Sequence, residues 1–314
     1  MIWVVWRQHR LQLLFAAAGL AVCTAFMLPT GLTMHHVYRD IGLADCFAAA
    51  WPDRCQFLAR TFSQRFLPIG YAGVITIVIP LLAGIFWGVP LIARELEQHT
   101  HRMIWTQGVS RLRWATAKIG LLVLAITGLA VGFALLFTWW ADPLLRTGGS
   151  RFDYFFFDLQ GPALVGYTLF AVALGMFAGA LVKRTLPAMA LTLTGYLVIR
   201  LAVEVLARPN ILPPLHRTWP ITRPLEAALQ PPGDWVLSRG IYTAAGELMW
   251  TGSNGSCAGG PPERCAYGPD AYNQIVYQPA GRFWLFQWVE TGIFVALAAA
   301  LLVAAVHWIR RRIA

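Results

Sequence analysis

"IGLLVLAITGLAVGFALLFTWWA", residues 119–141, contains no Asp, Glu, Lys or Arg. As an α-helix it would span about 35 Å, more than the ~30 Å hydrocarbon core of a bilayer. A helix on the surface of a soluble protein needs a polar face, and this stretch has none. It reads as a membrane-crossing helix, and it makes its neighbours legible. Residues 13–34, 66–93 and 159–182 are equally free of charge. Residues 185–207 are interrupted only by Arg200 and Glu204, and residues 283–309 only by Glu290. Six spans follow, near 12–34, 68–93, 117–140, 161–182, 186–207 and 284–308. The composition agrees: 57% of the chain is hydrophobic and 13% charged, against about 25% charged in a soluble domain. The first apolar run is too long for a cleavable signal peptide and lacks a small-residue cleavage site.

An even number of spans puts both ends of the sequence on one side, and the positive-inside rule chooses that side. Residues 1–11, 94–118, 183–184 and 309–314 hold twelve Lys and Arg in about 48 residues. The connections 35–67, 141–160 and 208–283 hold another twelve in about 130. The dense set belongs in the cytoplasm, and both lysines, Lys118 and Lys183, fall there. The net charge of +10 is therefore a topology signal rather than a nucleic-acid footprint.

Cys23 lies within the first span and reads as a small apolar residue. Cys46, Cys55, Cys257 and Cys265 all fall on the outer side, where disulfides are permitted. Of three connectivities, local pairing of Cys46 with Cys55 and of Cys257 with Cys265 is expected. The spacing is wide for a structural zinc site.

Outside the spans, "MIWVVWRQHR" (1–10) places Trp3 and Trp6 beside Arg7 and Arg10, an amphipathic segment suited to the headgroup layer. His35, His36 and Asp40 are weighed as metal ligands, but a solvated loop is the simpler reading. Gly128 and Gly132, and then Ala171, Gly175 and Gly179, give the third and fourth spans small faces for close helix contact. The sequence leaves open whether that contact is within one chain or between two. Residues 208–283 hold 11 of the 19 prolines, which excludes a long helix. Within them "WVLSRGIYTAAGELMW" (235–250) reads as two short strands around a Gly-containing turn.

Catalytic motifs are missing. Neither lysine follows a glycine, so no Walker A loop exists, and no Gly-x-Ser-x-Gly elbow or His-Glu-x-x-His pair occurs. Two polar features stand out. Arg200 and Glu204 are i,i+4 on span five and able to pair, with Glu290 near the outer end of span six. They serve either inter-helix packing or a transport path. The second feature is "ARELEQHTHRMIWTQGVSRLRWATAK" (93–118), a charged connection between two apolar runs. Glu95, Glu97, His99 and His101 step by two and spread around a helix instead of converging on a metal. A charged, membrane-parallel knob suits docking to another protein.

That segment resembles the first cytoplasmic connection of type-2 ABC exporter permeases: a Glu-rich stretch, a Gly-Thr pair, "VSR", and a Lys entering the next span. Glu95, Glu97, Thr100, Ser110, Arg111 and Lys118 match, while His99 stands where Gly is usual. The six-span layout is also similar, and "YQPAGRFWLFQWVE" (277–290) resembles permeases of actinomycete bacteria. The resemblance implies that the connection is a coupling helix seated on a separate nucleotide-binding ATPase. Glu95, Glu97, His99, Thr100 and Arg102 would be its contact residues. It implies that ATP and Mg are bound by that partner and no cofactor by this chain, and that two permease copies, expected to be a homodimer, form the substrate path.

The expected fold is an all-α integral membrane protein. Residues 1–207 would form spans one to five with the coupling segment 94–118. Residues 208–283 would form a small extracytoplasmic module, and 284–314 span six and a basic tail. The expected location is a bacterial plasma membrane, with both termini cytoplasmic. The alternative function is a membrane sensor or scaffold whose outer module binds a ligand or partner; a membrane-embedded enzyme is disfavoured by the missing catalytic groups.

Overall fold

The computed structural model describes residues 2–46, 53–97, 111–147, 150–221, 233–257, 266–268 and 270–312. Among them six segments are long and apolar enough to cross a membrane: Leu14–Asp40, Phe57–Arg94, Ile119–Arg146, Ala163–Val182, Thr185–Asn210 and Ala280–Arg310. In lipid every backbone amide must be satisfied internally, which makes helix the default for such runs. All six expected spans are present. The amphipathic opening is not a separate element: helix Ile2–Asp40 is continuous. At 39 residues it is about 58 Å long, nearly twice the hydrocarbon thickness. Thr24 and Thr33 donate their hydroxyls to the carbonyls of Leu20 and Pro29, at 2.8 and 2.9 Å, so neither is left bare on the helix.

Span two is longer and less regular than the sequence reading. It runs as helix Asp53–Gly73, a 3₁₀ segment Val74–Val78, helix Ile79–Ala83, a π turn Gly84–Gly88 and helix Val89–Glu97. Pro80 and the consecutive β-branched residues from Val74 to Val78 disfavour an unbroken α-helix there. The connection expected as a loop over 35–67 is thus largely helical on both flanks, with a short helix Leu43–Cys46 between them. A disulfide joins Cys46 to Cys55 with Cα atoms 5.8 Å apart, as expected. Cys265 lies outside the described residues, so the second expected pair is not described.

Span four is the centre. It is the most enclosed of the six, with Phe170, Ala171, Ala173 and Met176 fully or almost fully buried. Its small face meets span two within the chain. A Cβ on Gly84 would come within 2.6 Å of the Ala171 carbonyl oxygen, and one on Gly88 within 2.6 Å of that of Val172. Gly175 in turn lies against the Gly84 carbonyl. Only glycines permit this backbone contact. Gly128 and Gly132 of span three behave differently: no described atom lies within 4 Å of a Cβ built on either.

Between spans five and six the chain forms an antiparallel sheet: β1 (Leu215–Pro220), β2 (Trp235–Tyr242), β3 (Leu248–Thr251) and β4 (Tyr272–Gln278), in the order β1-β4-β2-β3. The β2–β3 hairpin is the one read from 235–250. Its turn is closed by Thr243 N donating to Glu247 O, with Gly246 at φ +83. β1 and β4 were not anticipated. β4 buries Asn273, Ile275 and Tyr277 on one face. Asn273 replaces an apolar side chain there by donating to and accepting from the Gly255 backbone, both at 2.8 Å. The sheet is fastened to the helices by Ser150 donating to Gly233 O at 3.0 Å, by Ala280 N donating to Asp234 at 2.9 Å, and by Trp235 stacked on Phe152 at 5.5 Å.

Candidate functional site

The sheet end of the bundle holds a buried ion cluster. Spans four, five and six and helix Tyr154–Leu159 build it. Helix Thr185–Ala202 carries Arg200 in its last turn, and the following π turn Val203–Ala207 and 3₁₀ turn Arg208–Asn210 add Glu204 and Arg208. The wide π turn is a backbone irregularity of a kind often found at functional sites. Helix Tyr154–Leu159 supplies Asp158, and span six supplies Glu290. Tyr167 of span four closes the group.

Glu290 is fully buried and receives the most hydrogen bonds. Arg208 Nε and Nη2 each donate to it at 2.9 Å, Arg200 Nη1 at 3.1 Å and the Tyr167 hydroxyl at 2.8 Å. Asp158 accepts from Arg208 Nη2 at 2.8 Å and pairs with Arg200 Nη2. The guanidiniums also lie on rings, Arg200 4.0 Å from the Tyr167 centroid and Arg208 4.1 Å from that of Phe157. Stacking covers the apolar faces of the planar groups while their edges bind carboxylates. Glu204 is held differently: its oxygens stand 3.9 Å from Arg200 Nη1 and 3.8 Å from Arg208 Nη1, beyond hydrogen-bond reach.

Beside the cluster, Gln287 joins the same elements without charge. Its Oε1 accepts from Ala163 N at 3.0 Å and its Nε2 donates to Phe157 O at 2.7 Å. Gly161 sits at φ +60, where a Cβ would meet Gln287 Oε1 at 2.9 Å. Around them Phe152, Phe157, Phe283, Phe286 and Trp235 pack ring on ring and seal the site. Nearby, burial raises the Tyr154 phenol above its ordinary value.

The three intramembrane residues expected from the sequence, Arg200, Glu204 and Glu290, therefore come together; Arg200 and Glu290 bond across spans five and six, while Glu204 lies beside the two arginines of its own span. Asp158 and Arg208 were missed because they fall just outside the apolar runs. The repeat Arg200, Glu204, Arg208 at steps of four was the available signal, and an Asp within "YFFFDLQ" was another.

At the other end only part of the expected contact set is described. His99, Thr100 and Arg102 lie outside the described residues, as does the side chain of Glu95. Glu97 ends helix Val89–Glu97 and reaches across to the start of span five. Its Oε2 accepts from Thr185 Oγ1 at 2.7 Å and from Thr185 N at 3.1 Å. Those bonds, first from the hydroxyl and then from the amide, hold the Glu97 carboxyl below its ordinary value, with Arg184 adding to the effect. The carboxylate serves as a cap for a helix that has none of its own. His35, weighed as a ligand with His36 and Asp40, instead donates from Nε2 to Trp139 O at 3.0 Å, while His36 and Asp40 pair on the surface.

A third feature is an apolar cavity of about 560 Å³ among spans one, two, three and four. Leu20, Ile79, Phe86, Ile126 and Phe133 line it. Its hydroxyls, Thr76 and Thr168, are committed to the carbonyls of Gly73 and Leu164.

Six spans, an internal ion cluster and a sheet inserted before the last span define a multi-pass integral membrane protein. Residues 17–208 match the family described as ABC-2 membrane transporter related, and the chain belongs to that family. No curated protein and no solved structure matches it.

Proposed function

We propose that the chain is the membrane subunit of an ATP-binding-cassette exporter, driven by a separate nucleotide-binding ATPase that carries ATP and Mg. The family match over residues 17–208 carries this reading. The absence of a Walker A loop from the sequence supports a separate ATPase. In this reading both termini and residues 94–118 face the cytoplasm of a bacterium, and the module 208–283 faces outward. The density of Lys and Arg in the first set supports that orientation. The segment through Glu95, His99, Thr100 and Arg102 is the coupling contact. Two copies form the path, and the open face of span three around Gly128 and Gly132 is suited to close approach of a second copy. The apolar cavity favours a lipophilic cargo.

The test is co-expression with a span-free Walker A ATPase, followed by purification and reconstitution. ATP-dependent transport by the pair supports the proposal. Because Glu97 is engaged by Thr185, the informative variant is Glu95→Arg combined with Arg102→Glu. It is expected to insert normally and lose the ATPase. Retention of both ATPase and transport would remove support for the coupling contact.

A further inference from the structure

The buried cluster sets two guanidiniums, Arg200 and Arg208, against three carboxylates, Asp158, Glu204 and Glu290. With all three ionised it would hold one uncompensated negative charge. Side-chain exposure across the five residues is between 0% and 10%, and an unbalanced charge that well enclosed is costly. We propose that the cluster binds one proton, and that Glu204 is the residue that holds it.

The geometry selects Glu204 over its two rivals. Glu290 accepts four donated hydrogen bonds and Asp158 is paired with both guanidiniums. Protonating either would discard charge-assisted bonds, the strong kind. Glu204 has none to lose. Its Oε2 is buried and has no hydrogen-bond partner among the described residues, and its side chain is only 10% exposed. The charged and titratable groups facing it are Arg200 and Arg208 from its own span, Asp158 and Tyr154 from helix Tyr154–Leu159 and Glu290 from span six. Three carboxyl groups held in one enclosed site oppose the ionisation of all three together. The inference rests on this geometry and not on the transport reading.

The experiment is infrared spectroscopy of the purified full chain in an ester-free detergent at neutral pH, reading the carbonyl stretch of protonated carboxyl groups. Wild type is expected to show that band and to shift it in heavy water. Glu204→Gln should lose it while keeping its helical circular dichroism, because the amide reproduces the neutral state of the site. A band that survives in Glu204→Gln would place the proton elsewhere and overturn the proposal. A wild-type protein without the band would overturn it too, and so would a Glu204→Gln chain that fails to fold.

Discussion

The two ends of the bundle are held by different means. At the sheet end helix Tyr154–Leu159 and spans four, five and six are joined by Arg200, Arg208, Asp158, Glu290, Tyr167 and Gln287, all buried. At the opposite end, the described polar tie between span five and the end of span two is one exposed carboxylate, Glu97, on Thr185, above an apolar contact of Val89 and Ala93 with Ala188. A buried ion pair resists separation because an unpaired partner left in a low dielectric is costly. An exposed hydrogen bond exchanges with water at little cost. The contrast separates a fixed end from a releasable one. In the proposed orientation the releasable end is the one that would meet the ATPase.

The largest expected effect tests the fixed end. Arg208→Ala strips Glu290 of two donors and Asp158 of one, and should cost about 3–5 kcal/mol, read as a lower unfolding midpoint in detergent. A midpoint equal to wild type would make the cluster dispensable and erase the contrast. Next is the disulfide on the same end. Replacing Cys46 and Cys55 by Ser should cost about 2.5 kcal/mol on the loop-entropy account. The measurement is thermal unfolding against the oxidised wild type. Third is the crossing between the ends. Gly84→Ala places a methyl against the Ala171 carbonyl and should cost about 1–3 kcal/mol by overpacking, while Gly128→Ala, in open space, should be near neutral. Equal losses in the two variants would show that the spans two–four contact is not tight.

The smallest effect belongs to the releasable end. Glu97→Gln should leave the unfolding midpoint within error but speed hydrogen exchange at the Thr185 amide. The pH sign follows from the lowered carboxyl. The tie is complete above the ordinary glutamate value and is lost as pH falls through the lowered folded value. Exchange at Thr185 relative to the Glu97→Gln chain should therefore converge in acid. Parallel profiles at every pH would mean that Glu97 does not cap span five.

The spans were legible because lipid permits so few solutions: an uncharged run of bilayer length becomes a helix. The break in span two was less so, since Val74–Val78 and Gly84–Gly88 are as apolar as what surrounds them. Composition located Arg200, Glu204 and Glu290 by contrast with their neighbours. The i,i+4 spacing paired Arg200 with Glu204, whereas Arg200 bonds to Glu290 and pairs with Asp158; Asp158 and Arg208 look like ordinary loop charges until the chain brings them inward. In the sheet, β2 and β3 announced themselves through the glycine turn. β4 hid behind Asn273, a polar residue occupying an inward position that only its bonds to Gly255 make acceptable.

The glycine crossing of spans two and four has a mechanical meaning. Where Gly84 and Gly88 press on the carbonyls of Ala171 and Val172, no side chain stands between the backbones to change rotamer and absorb sliding. Packed surfaces of this kind have discrete arrangements rather than continuous give. The two spans are then a single beam, and Gly166 of span four brings span six nearly as close, where a Cβ would stand 3.2 Å from the Thr291 Cα. A displacement applied at the end of span two, next to Glu97, would travel along that beam as a rigid tilt.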